Sequence, residues 1–214
     1  MLLEIYRRLL SAYGPQGWWP GDSAFEVAVG AILTQATNWK NAARAIANLK
    51  RAGALSPEGL WRLPTAEIAE LIRPAGYFNQ KAKRLRAFLE LVREHGGLEG
   101  LFSLPTEKLR ERLLAVPGIG PETADSIVLY AAEKPSFVID AYTRRILSRL
   151  GLIQGGEGYA ELKRLFEENL PRDTELYKEY HALLVRHGKV HCRARPRCGG
   201  CPLGDMCAFP GKAG

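Results

Sequence analysis

The sequence predicts an all-α protein, and three observations carry that expectation. Apolar residues recur at three- and four-residue intervals along most of the 214-residue chain. No stretch reads as a half-buried strand, and the breaks between periodic segments fall at Gly, Pro, Ser, Thr and Asn, which stop or cap helices. With 46% hydrophobic residues, the chain can bury one substantial core or two small ones.

Residues 2–13 carry a stripe of Leu2, Leu3, Ile5, Tyr6, Leu9 and Leu10 that Gly14 ends. A loop follows, Pro15-Gln16-Gly17-Trp18-Trp19-Pro20-Gly21-Asp22. Adjacent loop residues cannot both fill one core stripe, so either one tryptophan faces a groove or a domain interface, or both rings plug a junction between helices. Phe25 to Ala36 is almost continuously apolar and is expected to form a central helix. Thr37 or Asn38 can cap the next helix, with Trp39 in its first turn and Ala42, Ala43, Ile46, Ala47 and Leu49 on the core side. Ser56-Pro57 marks a helix start, and Thr65 can cap a helix over Ala66 to Ile72. The turn from Pro74 to Phe78, with Phe78 directed inward, opens a long amphipathic helix to His95. Helices at 106–116 and 121–132 flank Val116-Pro117-Gly118-Ile119-Gly120, and three more are expected at 142–150, 159–168 and 175–187.

Gly118 and Gly120 allow positive φ and leave no side chain over the turn between those helices. A phosphate could therefore approach the backbone amides, although the same residues also suit an ordinary helix connection. Soon after comes Phe137-Val138-Ile139-Asp140, a short apolar run closed by an acid. A carboxylate beside a phosphate-gripping hairpin points to chemistry on a nucleotide.

Thirty Lys and Arg against 23 Asp and Glu give a formal charge of +7, which favours a polyanionic partner or merely a solvated surface. No run of eighteen apolar residues appears, and Met1-Leu2-Leu3-Glu4 turns acidic too soon for a signal peptide, so a cytoplasmic, nucleoid-associated protein without membrane contact is expected. All four cysteines fall between 192 and 207, which argues for a metal site rather than a disulfide framework. Four sulfurs at Cys192, Cys198, Cys201 and Cys207 suit zinc or a [4Fe-4S] cluster, and spacing alone leaves both open. Arg193, Arg195 and Arg197 alternate through the first cysteine gap, where they either reach phosphates or form a basic solvated tail.

Val116-Pro117-Gly118-Ile119-Gly120 followed by Val138-Ile139-Asp140 resembles the helix-hairpin-helix and Gly/Pro-Asp signature of the endonuclease III superfamily of DNA glycosylases, with similarity from about Ala24 to Cys207. The resemblance implies two helical lobes: a six-helix barrel at 22–134 containing the hairpin (about 106–132), and a second lobe from 1–21 plus 135–214 that carries Asp140 and the cysteine loop 192–207. It implies a monomer whose inter-lobe groove takes double-stranded DNA with a damaged base, the backbone held at Gly118, Ile119 and Gly120. Ile32 to Thr37 is similar to the family's Leu-Ser-x-Gln-x-Thr segment, which makes Gln35 the residue that fills the space of the extruded nucleotide, and Tyr77 matches the apolar wedge. Pro196-Arg197-Cys198-Gly199-Gly200-Cys201 resembles the family's iron-sulfur loop and favours [4Fe-4S] over zinc, although the first gap is five residues where the family has six.

In this family a carboxylate near C1′ stabilises the charge that builds on the sugar or activates the attacking water, and Asp140 matches it. Bifunctional members carry a Schiff-base lysine two positions after the last hairpin glycine; here that position is Glu122, and no lysine lies between Lys108 and Lys134. A carboxylate cannot form an imine, so the expectation is a monofunctional glycosylase, with Glu122 either a secondary electrostatic or water-positioning group or a plain helix-start acid. The adenine-specific branch carries a glutamate where this chain has Ala31, and the thymine-mismatch branch a tyrosine where it has Glu122. A base already activated by positive charge needs no such acid, and Trp18, Trp19 and Trp39 could stack on it. The combination is similar to the 3-methyladenine DNA glycosylase branch. The alternatives are a glycosylase for a neutral lesion, uracil or mismatched thymine, and a non-catalytic DNA-structure-binding protein.

Overall fold

The computed structural model describes residues 1–209. Among these residues twelve α-helices follow in chain order: α1 Leu2–Tyr13, α2 Ala24–Leu33, α3 Trp39–Arg51, α4 Pro57–Arg62, α5 Thr65–Leu71, α6 Phe78–Glu94, α7 Leu98–Phe102, α8 Thr106–Leu114, α9 Pro121–Ser126, α10 Ala141–Arg149, α11 Tyr159–Asn169 and α12 Thr174–Val190. A π-helical turn, Ile127–Ala131, extends α9. Among the described residues there is no strand, and no helix is long and apolar enough to cross a membrane. The chain divides into two compact units, one from Trp19 to Lys134 and the other from Met1–Trp18 joined to residues from Pro135 onward.

The Trp19–Lys134 unit is built around α2, whose residues Phe25 to Leu33 are all buried. Such a helix cannot be amphipathic, and it packs against α3, α6, α9 and the π turn. Its start is fixed by Ser23, whose hydroxyl accepts from the Glu26 amide at 3.2 Å, and by an ion pair from buried Glu26 to Lys50 at 2.8 Å. Its end comes at Leu33, earlier than the apolar run to Ala36 predicts. There the Thr34 hydroxyl bonds back to the carbonyls of Gly30 and Ala31, and Ala36 adopts φ 52. Asn38 caps α3, but the buried stripe is Ala42, Ala45, Ile46 and Leu49, with Ala43 half-buried and Ala47 exposed, so the core face is rotated from the expected one. Pro64, not Thr65, stands at the N-cap of α5.

In the other unit α1 and α10 both pack against α12. The core is aromatic: Phe137 stacks on Phe166 at 4.0 Å, with Tyr177 and Tyr180 edge-on to Phe137. The Tyr180 hydroxyl donates to the Leu2 carbonyl at 2.8 Å and ties α12 to α1. Gly188 lets α10 approach α12 closely, because a Cβ there would stand 2.3 Å from the Tyr142 ring.

Candidate active site

In the unit that contains α10 and α12, Asp140 ends a buried extended segment, Phe137 to Ile139. That segment is held by α11: the Phe137 amide donates to Glu167 Oε1 at 2.9 Å and the Ile139 amide to the Tyr159 hydroxyl at 3.3 Å. Asp140 is the N-cap of α10, and its Oδ1 accepts both the amide and the hydroxyl of Thr143, at 2.7 and 2.9 Å. The other oxygen, Oδ2, lies 3.5 Å from His181 Nε2 on α12, and the carboxylate is 12% exposed. Burial works to raise the pKa of Asp140, but the contact with His181 and the two bonds from Thr143 outweigh it and hold the group below the usual aspartate value. The arrangement fixes one oxygen structurally and keeps the group ionised at neutral pH.

Trp18 stands edge-on to His181 at 6.1 Å, and the Lys189 ammonium lies 5.7 Å from the Trp18 ring. Trp18, His181 and Asp140 therefore form one contiguous group. Neither His181 nor Thr143 carries a motif of its own; the only sequence signal is a hydroxyl three residues after an acid at a helix start.

The Trp19–Lys134 unit carries the hairpin. Gly118 takes φ 85, but Gly120, expected to share that freedom, is extended at φ −88 and ψ 176 because it is the N-cap of α9. A Cβ at Gly120 would meet nothing within 4 Å, so the surface there is open. Ile119 plugs the hairpin with a side chain only 4% exposed, and its amide is committed to the Val116 carbonyl at 3.0 Å. The amides of Gly118 and Gly120 have no partner among the described residues. The two hairpin helices are joined by Arg110, which grips fully buried Asp125 with bonds of 2.8 and 3.1 Å. Glu122 is exposed in the first turn of α9.

Gln35 lies against this hairpin. Its Nε2 donates to the Gly118 carbonyl at 3.0 Å and to Thr123 Oγ1 at 2.8 Å, while Arg84 Nη1 donates to its Oε1 at 2.6 Å. Tyr77, at the N-cap of α6, has φ 47 and is 65% exposed; Met1 is the only other exposed large apolar residue among those described. Of three non-glycine residues at positive φ among those described, one is Tyr77 and another is Ala36, directly after Gln35. Strain of this kind persists only where the surroundings enforce it. Lys81 supplies the enforcement: fully buried, it donates to the Leu33 carbonyl at 2.9 Å and the Ala75 carbonyl at 2.8 Å, just before the two strained segments. Burial, with a smaller contribution from Arg84, brings its pKa down to about 8.

The adjacent tryptophans fall in different units. Trp19 packs edge-on to Trp39 at 5.7 Å and lies 5.3 Å from Tyr130, over Gly30 of α2, where a Cβ would be 3.2 Å from the Trp19 indole nitrogen. Trp18 instead stands beside His181.

The four cysteines line one narrow apolar pocket together with His187 and Arg149. Yet no three His, Cys, Asp or Glu side chains among the described residues converge closely enough to hold a single ion. Arg149 Nη1 donates to Cys192 Sγ at 3.4 Å, and the Cys201 thiol pKa is raised by burial and by the three other sulfurs. Tyr13 bonds His187 Nδ1 at 2.9 Å, with the other ring nitrogen 3.9 Å from Cys201 Sγ. Arg193, Arg195 and Arg197 are all exposed.

Comparison with known proteins gives this geometry a context. The description "HhH-GPD superfamily base excision DNA repair protein" matches residues 29–172. "Putative DNA repair glycosylase MJ1434" from Methanocaldococcus jannaschii is 48% identical over 210 residues, spanning 97% of this chain and 96% of that one. The H. pylori 3-methyladenine DNA glycosylase MagIII, solved bound to 1,N6-ethenoadenine, superposes with a TM-score of 0.76 at 30% identity, covering 88% of this chain and 97% of that one. An endonuclease III in a non-covalent DNA complex shares the fold with a TM-score of 0.82 at 21% identity, covering 97% and 95% of the two chains.

Proposed function

Because the chain belongs to the HhH-GPD superfamily of base excision DNA repair proteins, and so to a family of DNA glycosylases, we propose that it excises alkylated purines from double-stranded DNA by hydrolysis alone and leaves an intact abasic site. The observation that carries this reading is the geometry of Asp140. A carboxylate with one oxygen fixed by Thr143, the other turned to His181 and a depressed pKa is a stable anion. Beside the C1′ of a flipped nucleotide, it stabilises the positive charge that develops as the base departs and accepts the proton of the incoming water. Glu122 stands where a lyase would need an amine, which supports hydrolysis without strand cleavage.

In this reading Gly118 and Gly120 hold a phosphate through their uncommitted amides, while Ile119 acts only as the packed plug beneath them. Gln35 and Tyr77 enter the duplex, and Arg193, Arg195 and Arg197 contact phosphates. The substrate class is supported by the likeness to MagIII and by the half-buried Trp19 and Trp39 rings, which suit a cationic base. Cys192, Cys198, Cys201 and Cys207 would hold a [4Fe-4S] cluster, whose chemistry here is structural cross-linking of the loop. The likeness of Pro196-Arg197-Cys198-Gly199-Gly200-Cys201 to the family's iron-sulfur loop favours that cluster over zinc.

The deciding experiment is a panel of duplex oligonucleotides, each with one altered base, incubated with the protein and analysed with and without alkali. Strand breaks that appear only after alkali, and chiefly at alkylated purines, are the expected result. Excision confined to uracil or mismatched thymine would replace the substrate, and no excision from any duplex would leave a DNA-binding protein.

A further inference from the structure

Arg84 lies on α6, 49 residues from Gln35 in sequence, yet it reaches both that glutamine and the hairpin. Its Nη1 donates to Gln35 Oε1 at 2.6 Å. Its Nε, Cγ and Cδ lie 2.5–2.8 Å from where a Cβ on Gly118 would be, so the side chain lies across the one hairpin residue at positive φ. With the guanidinium as donor, Oε1 must be the acceptor, and the glutamine NH2 is then directed to the Gly118 carbonyl and Thr123 Oγ1. The amide of Gln35 is thus satisfied at both ends. Among the described residues Arg84 has no carboxylate partner, so a full positive charge is bonded to a neutral amide beside a hairpin with two uncommitted N–H groups.

We propose that Arg84 is a positioning residue that latches Gln35 to the hairpin in the free protein, and that a DNA phosphate arriving at Gly118 draws the guanidinium away and releases the glutamine to enter the duplex. The exchange is favourable because phosphate offers the guanidinium an opposite charge and two oxygens for paired bonds, where the Gln35 amide offers one neutral acceptor. Gripping the backbone and inserting the wedge thereby become one event. The inference rests on the reading of Gln35 as the wedge.

The test uses a duplex containing a tetrahydrofuran abasic analogue with 2-aminopurine in the opposite strand, whose fluorescence reports local unstacking. Arg84→Met keeps the aliphatic stem over Gly118 but loses the charge, so the slope of log affinity against log salt should fall by about one. Thr123→Val loosens the latch and leaves the charge, so unstacking at saturating protein should quicken about threefold with an unchanged salt slope. A wild-type salt slope for Arg84→Met removes the phosphate exchange, and a wild-type rate for Thr123→Val removes the latch. Gln35→Ala separates the two readings. If it abolishes the fluorescence change while the other variants behave as wild type, the wedge stands and the latch falls; if it changes nothing, both fall.

Discussion

His181 Nε2 lies 3.5 Å from Asp140 Oδ2, on the side of the carboxylate that Thr143 does not occupy. This contact is the largest of those that offset the burial of Asp140, so it governs where the acid titrates. The ionised form is the useful one, and activity must fall as pH drops through the pKa of the folded protein. Replacing His181 with Ala removes the offset and leaves desolvation in charge, so the pKa rises. The acid limb of the excision profile should move to higher pH. A uniform loss of rate with the limb unmoved would mean that His181 only packs.

Asp140→Asn separates chemistry from folding. Asparagine caps a helix about as well as aspartate, so the change should cost less than about 1 kcal/mol. Single-turnover excision should fall by about 100-fold or more, because the neutral amide neither accepts a proton nor balances developing charge. Asp140→Ala also removes the bonds to Thr143 and should lower the melting temperature further. Excision by Asp140→Asn at the wild-type rate would transfer the catalytic role to another group.

Helix starts were legible at Ser56 and Asn38, each of which bonds an amide three residues on. The end of α2 was not, because apolar character continues to Ala36 while the stop is made by the Thr34 hydroxyl and by Lys81 on α6. Periodicity also treats a lysine as a solvated face, and Lys81 is fully buried. In the site, Asp140, Gln35 and the cysteines can be singled out from residue type and order. Their partners cannot, since His181, Arg84 and Arg149 arrive from other helices and have no local signal.

Lys81 makes a separate prediction about stability. Its pKa falls from 10.5 to about 8, so between these values the folded protein binds fewer protons than the unfolded chain, and stability rises with pH. Lys81→Met leaves the carbonyls of Leu33 and Ala75 without their donor, at a cost of roughly 1–3 kcal/mol each. The gap between wild type and variant should then widen from pH 8 to pH 10, by about 2 kcal/mol. Denaturant melts at both pH values check this, and a constant gap would show that the ammonium is not held in a low-dielectric site.

The cysteine pocket predicts metal content and DNA affinity separately. Purified protein should carry about four irons per chain with broad visible absorption, and Cys198→Ser should bleach it. One zinc per chain and no colour would reverse the assignment. Replacing exposed Arg193, Arg195 and Arg197 one at a time should lower the salt slope of binding by about one each and leave the visible spectrum intact.

Glu122 bears on whether the strand is cut. It is exposed in the first turn of α9, two positions after Gly120, and no lysine lies between Lys108 and Lys134 to replace it. Wild-type protein with damaged duplex and borohydride should therefore give no covalent adduct, because position 122 carries no amine to form the imine that borohydride reduces. Glu122→Lys inserts that amine with little change in helix propensity, and should yield a trapped species together with nicking that needs no alkali. If wild type itself is trapped, another amine is the nucleophile and hydrolysis alone does not describe the reaction. If Glu122→Lys excises the base but is never trapped, residue 122 does not reach the sugar, and Glu122 is then a helix-start acid and nothing more.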